Sequence, residues 1–215
     1  MTGTRTAGTA AVLTATLALA AAAWVVAVHQ MRGMDMGVAT DLGSLQFFVA
    51  AWVSMMAAMM LPDALPALIR RARAGGSVLA VPQFAVSYLA VWTVVGLVAY
   101  ALYYPHGTAI AGTLTVAAGL YELTPLKRAC RLRCRQSVRS GSRFGLYCIG
   151  SSIGLMLVLL AVGAMSVTWM CVIAVIVVAQ KLLPPRPLLD VPLALALVGL
   201  GIAIAAAPSS IPGIT

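Results

Sequence analysis

The sequence predicts an all-α fold, a polytopic bundle of about seven transmembrane helices with the N-terminus in the cytoplasm and the C-terminus outside, forming a single integral membrane domain over residues 1–215. Three observations predict it. Hydrophobic residues make up 62% of the chain and charged residues only 9%, against about 25% charged in soluble domains. Polar residues are too few to cover a water-facing surface, so lipid has to be part of the solvent. The apolar residues fall into seven stretches, each near the 17–25 residues that cross a hydrocarbon core of roughly 30 Å. Finally, the net charge of +9 is gathered between those stretches, as topology-setting clusters are, which argues against a nucleic-acid partner.

The stretches run roughly Gly8–Val28, Ser44–Leu61, Val78–Tyr103, Thr108–Leu123, Phe144–Val162, Met165–Leu183 and Val191–Ala207. None alternates polar with apolar residues over a sustained run, which argues against a β-barrel. Helices satisfy their own backbone groups, which lipid cannot do. The first stretch is Ala-rich and follows Arg5, a pattern shared with cleaved secretory signal peptides. Its apolar run is long for that purpose, and downstream orientation is the same in either case.

Orientation follows from the cations. Arg5 precedes the first stretch; Arg70, Arg71 and Arg73 follow the second; Lys127, Arg128, Arg131, Arg133, Arg135, Arg139 and Arg143 lie between the fourth and fifth; Lys181 and Arg186 follow the sixth. Of the 14 Lys and Arg, only Arg32 falls on the other side. The positive-inside rule then fixes the N-terminus in the cytoplasm and supports an odd number of spans. Such a chain is expected in a cell membrane, of the bacterial cytoplasmic kind. Gly150 and Gly154 form a small-residue step for close helix packing, and Pro62, Pro66, Pro82 and Pro192 are read as lying near span ends.

Residues that could carry chemistry are then sought at the membrane boundary, where a charge is costly and needs a reason. Asp63 and Glu122 sit near the cytoplasmic face in this topology. The plain alternative is that each pairs with a neighbouring cation such as Lys127 or Arg128. Methionine is the second anomaly. Met55 with Met59, and Met56 with Met60, stand one helical turn apart, and Asp63 extends the Met59 stripe. Thioether sulfur is a soft donor suited to Cu(I), although Met also fills irregular helix interfaces. The first external connection collects His29, Met31, Met34, Asp35 and Met36. An exposed loop has no packing reason to gather Met, and thioethers remain usable ligands outside the membrane, where thiols oxidise.

Cysteines are the third feature. Cys130 and Cys134 share a helix face if the basic connection is helical, and Cys148 lies about one turn into the fifth stretch. Cytoplasmic thiols stay reduced, and nearby cations favour thiolates. The expectation is a three-sulfur site of Cys130, Cys134 and Cys148, with Glu122 or Asp63 as a further donor; free thiols are the alternative. Cu(I) is favoured by softness, while tetrahedral thiolate sites would also accept Zn²⁺. Cys171 reads as packing.

These motifs resemble one family. The runs Trp52…Met55-Met56-Ala-Ala-Met59-Met60-Leu61-Pro62, Tyr121-Glu122-Leu123-Thr124-Pro125-Leu126-Lys127-Arg128-x-Cys130-x-x-x-Cys134-Arg135, Gly145-Leu146-Tyr147-Cys148-x-Gly150, Trp169-Met170 and Lys181-Leu182-Leu183-Pro184 are similar to those of the domain of unknown function 2182 family, over roughly residues 45–185. That family is described as predicted metal-binding integral membrane proteins, sometimes labelled copper chaperones. The resemblance implies a His before the Gly-x-Tyr-Cys run, two Cys after its second Gly, and a Glu before the Lys-Leu-Leu-Pro run. Here those places hold Phe144, Ser151, Ser152 and Gln180, so this member departs from the family pattern at four probable ligands.

Together these readings point to a copper-handling membrane protein, a chaperone, carrier or assembly factor and not an enzyme, which would meet a metal-donor or metal-acceptor protein or membrane complex. Two alternatives stay open at this stage. One is a structural subunit whose basic connection docks a partner or anionic lipid; the other is a proton- or ion-coupled transporter using Asp63 and Glu122. No nucleotide motif or nucleophile–base set points to catalysis.

Overall fold

The computed structural model describes residues 2–32, 42–74, 79–103, 107–137, 140–163, 166–183 and 187–207. Eight α-helices and no strand are found among them: α1 Thr2–Met31, α2 Leu45–Arg73, α3 Ala80–Leu102, α4 Thr108–Glu122, α5 Pro125–Gln136, α6 Gly141–Gly163, α7 Val167–Leu182 and α8 Pro187–Ala206. The all-α expectation holds, with one helix more than the seven apolar stretches, because the basic connection is itself helical as α5.

Among the described residues four helices are long and apolar enough to cross a membrane, namely Gly8–Met31, Leu45–Arg73, Ala80–Leu102 and Gly141–Gly163; α4 and α5, bent by 64° at their break, make a fifth if the pair is one span. Helices α7 and Val191-containing α8 are apolar but short, with α7 counting 16 residues, or about 24 Å at 1.5 Å per residue. The second stretch departs furthest from its expected bounds. Instead of stopping near Leu61, α2 continues through Pro62 and Pro66 to Arg73. A freed carbonyl is cheaper than a whole turn of unpaired backbone in an apolar setting. Its start is fixed by Ser44, whose hydroxyl accepts from the Phe47 amide at 3.3 Å.

Contacts divide the chain into two compact units. The first comprises residues 1–30, 43–101 and 133–149. Helix α1 packs there through an alanine stripe, Ala20, Ala23 and Ala27, all buried. At one end of this unit Phe48 stacks with Trp52 at 5.6 Å and meets Tyr100 at 5.0 Å. Trp52 is oriented by an indole N–H donated to the Trp92 carbonyl at 2.8 Å. Gly96 lets the indole lie against α3, since a Cβ there would run into the ring. Gly96→Ala is therefore expected to destabilise the protein by about 1–3 kcal/mol, the usual cost of overpacking. Gly199→Ala on α8, where a Cβ meets nothing within 4 Å, should be neutral or better. Thermal unfolding of the two variants in detergent tests the contrast.

The second unit comprises residues 31–42, 102–132 and 150–215. Its centre is the close pair α4 and α8. A Cβ at Gly112 would lie 2.8 Å from that of Ala205, and one at Gly119 would lie 2.9 Å from the Ala194 carbonyl oxygen. Such smooth faces allow backbone approach where no hydrophobic force drives helices together. The expected Gly150/Gly154 step is used in the same way. Cys130 Cβ would be 3.2 Å from a Cβ at Gly150, and the Tyr121 ring 3.2 Å from one at Gly154.

Candidate metal centre

Three helices of the first unit converge on one buried thiol. Helix α6 offers Gly141, Gly145 and Cys148 on a single face, by their i, i+4, i+7 spacing. The two glycines admit α3, whose Val91 Cβ would lie 3.1 Å from a Cβ at Gly145. Phe84, Tyr88 and Trp92 recur every four residues along α3 and are all buried. Phe144 packs into that stripe, 5.5 Å from Phe84 and edge-on to Tyr88 at 5.2 Å. Cys148, with no exposed surface, donates its thiol to Asp63 Oδ2 at 3.3 Å. The Tyr88 hydroxyl lies 3.1 Å from Cys148 Sγ.

Helix α2 brings more than the carboxylate. Met55, Met56, Met59 and Met60 are all at most 2% exposed, and Asp63 is 5% exposed. Met59 and Met60 precede Asp63 by four and three residues, so both thioethers flank the carboxylate on its own helix. The carboxylate and the thioethers thus come from adjoining turns of α2 and the thiol reaches the carboxylate from α6, in a setting dry enough for each polar atom to need a partner.

The second unit holds a different cluster. Lys127 Nζ donates to Glu122 Oε2 and forms a fully buried ion pair with it. It also donates to Gln180 Oε1 at 3.0 Å, while Gln180 Nε2 donates to the same Glu122 oxygen at 2.7 Å. Four residues along α5, Arg131 pairs with Asp190 at 2.6 Å and donates to the Gln180 and Leu183 carbonyls. Helix α5 is in this way tied to α4, α7 and α8. Burial pushes the Lys127 ammonium below its ordinary pKa, and the Glu122 charge pulls in the opposite direction. Glu122 Oε1 is left without a hydrogen-bond partner among the described residues.

The predicted residues are distributed accordingly. Asp63 and Cys148 are brought into contact, and the Met quartet lines the same stretch of α2. Glu122 follows the plain alternative, paired with Lys127, although in the interior and not at exposed headgroups. Cys130 and Cys134 do stand one turn apart on α5, Cys130 half-buried in the second unit and Cys134 buried in the first. No group of three or more His, Cys, Asp and Glu with metal-holding geometry is found among the described residues. Met31 is buried at the end of α1, whereas Met34, Asp35 and Met36 lie outside the described residues. Cys171, read as packing, is exposed on α7. Of the departures from the family pattern, Ser151 and Ser152 are buried with their hydroxyls 3.4 Å apart.

Sequence reasoning missed Tyr88, Gln180 as a bridge, and Asp190. The signal for Asp190 was available, since it is a boundary carboxylate of the same kind as Asp63 and Glu122. For Tyr88 the signal was the four-residue recurrence of aromatics in an otherwise aliphatic span.

Helices long and apolar enough to cross a membrane, a buried thiol–carboxylate contact and a thioether-rich helix make an all-α protein equipped with soft donors. The model of the PpoB2 family, described as copper chaperone, matches residues 49–204, and the chain belongs to that family. The match supports the copper-chaperone label that the motifs implied, and it extends past them to take in α8. No curated protein and no solved structure shows significant similarity to the chain.

Proposed function

We propose that the protein binds Cu(I) within a cell membrane and passes it to a partner, as a chaperone, carrier or assembly factor and not as a catalyst. The observation that carries this reading is the Cys148 thiol on Asp63 at 3.3 Å, with Met59 and Met60 on the adjoining turn of α2. A thiolate with one or two thioethers is a donor set matched to Cu(I), and the carboxylate adds the charge that a buried cation needs. On binding, Cu(I) replaces the thiol proton of Cys148, which leaves the site, so the metal–sulfur bond forms with no change in oxidation state. Met55 and Met56, one turn earlier, continue the path of soft donors along α2. Met34 and Met36, in the connection that follows α1, serve as collecting ligands, with Met31, buried at the end of that helix, the first soft donor inward, and Cys130, Cys134 and Glu122 as the receiving end at the basic helix. A thiolate-rich receiving end would also take Zn²⁺.

The test is elemental analysis by mass spectrometry of protein purified after copper loading under reducing conditions. Stoichiometric copper is expected in the wild type, and its loss when Met59 and Met60 are both replaced by Leu. A folded wild type that retains no copper at any loading would overturn the proposal. Retention undiminished by the Met substitutions would remove Met59 and Met60 from the site.

A further inference from the structure

Helix α5 carries five cations, Lys127, Arg128, Arg131, Arg133 and Arg135, and no acid. Only its inner face is explained by the ion pairs above. Lys127, Arg131 and Cys134, at i, i+4 and i+7, are all buried. Leu126 at 61% and Leu132 at 48% exposure flank the opposite side, Leu126 next to exposed Arg133, whose guanidinium stands 6.0 Å from the Tyr147 ring centroid, and Leu132 next to half-buried Arg128. The Nε of Arg128 is itself buried and has no hydrogen-bond partner among the described residues, so this arginine reaches the surface only through the end of its guanidinium.

We propose that this outer face of α5 is a binding surface for anionic phospholipid, with the leucines set into the acyl boundary and the arginines on headgroup phosphates. Three observations favour that occupant. The first is charge: Glu122 and Asp190 answer Lys127 and Arg131 from the interior, and the helix has no acid of its own for Arg128 and Arg133. The second is composition, because exposed leucines interleaved with arginine on a single helix suit the interface between acyl chains and phosphate better than water. The third is position. Helix α5 follows α4, an apolar helix, after a break of two residues and turns away from its axis by 64°. Because both buried ion pairs hold the inner face, the outer face is presented in one fixed orientation. Binding needs no ordering of a loop.

The experiment uses the full chain in nanodiscs of mixed phosphatidylglycerol and phosphatidylcholine, followed by native mass spectrometry of the lipids retained on release. Several-fold enrichment of phosphatidylglycerol is expected for the wild type. Arg128→Gln with Arg133→Gln should bring it near parity, and Lys at the same two positions should restore it, which separates lost charge from lost folding. Leu126→Ser with Leu132→Ser should shorten lipid retention. Parity in the wild type overturns the proposal, as does enrichment indifferent to the arginine substitutions. Displacement of the bound lipid by soluble polyglutamate, with unchanged binding of Leu126→Ser and Leu132→Ser, would instead mark the face as a dock for an acidic protein and overturn the lipid assignment.

Discussion

Cys148→Ser is expected to lower Cu(I) affinity by more than about 100-fold, because even outer partners of a metal ligand are worth about 10–100-fold in affinity. Among the described residues Cys148 is the cysteine whose sulfur meets Asp63, and a hydroxyl in its place is a poor soft-metal donor. Competition with a chromophoric Cu(I) chelator in detergent measures it. Asp63→Asn should cost less, since it removes charge and keeps the sulfur. Tyr88→Phe should cost less again, because it removes one hydrogen bond to Sγ and leaves the donors in place. If Cys148→Ser competes as the wild type does, copper is not held at this thiol. A gain is expected at Phe144, which stands one turn before Cys148 on α6 where the family resemblance implies His. Phe144→His would add an imidazole beside the thiol and is expected to raise affinity. No change would show that the aromatic stripe keeps the ring turned away.

The relation between sequence and structure differs from element to element. Hydropathy placed α1, α3, α4 and α6 within a few residues, because burial in lipid leaves a run of apolar side chains that no other fold tolerates at that length. Helix ends were legible only where they coincide with the loss of apolar residues. In α2 they do not coincide, since Asp63 and two prolines look like a stop while the backbone, needing its own hydrogen bonds, continues to Arg73. Helix α5 was hidden for the opposite reason. Its sequence is too charged for a span, so hydropathy passes over it although Leu, Lys, Arg and Ala are good helix formers; the ion pairs to Glu122 and Asp190 that anchor it are visible only in the fold. For the site, spacing gave Asp63 and the Met stripe because both lie on one helix. The meeting of Asp63 with Cys148 joins residues 85 apart in the chain, and only the fold shows it. The Cys130-x-x-x-Cys134 step gave its helical spacing correctly but said nothing of what each thiol faces.

Pairing of buried charges gives the largest expected effect on stability. Glu122→Gln is expected to destabilise the protein by about 3–5 kcal/mol, the range for removing one partner of a buried ion pair. Lys127 and Glu122 are each 1% exposed, so neither can recover its hydration when the other is lost. Gln180 does not rescue the lysine, because its single carbonyl is already engaged by Lys127 and carries no charge. At about 2–4 °C per kcal/mol for a chain of this size, the thermal midpoint in detergent should fall by roughly 6–20 °C. Lys127→Met alone should cost a similar amount by stranding the carboxylate. The double variant, Glu122→Gln with Lys127→Met, leaves no uncompensated charge and should recover much of the loss. That non-additivity is what separates an internal brace from a pair of independent ligands, for which the two losses would sum. Copper affinity at Cys148 supplies the second readout. Should the double variant stay folded and its affinity stay at the wild-type level, Glu122 serves the anchoring of α5 and not the metal. Should affinity fall along with the charge, Glu122 belongs to the receiving end of the copper path.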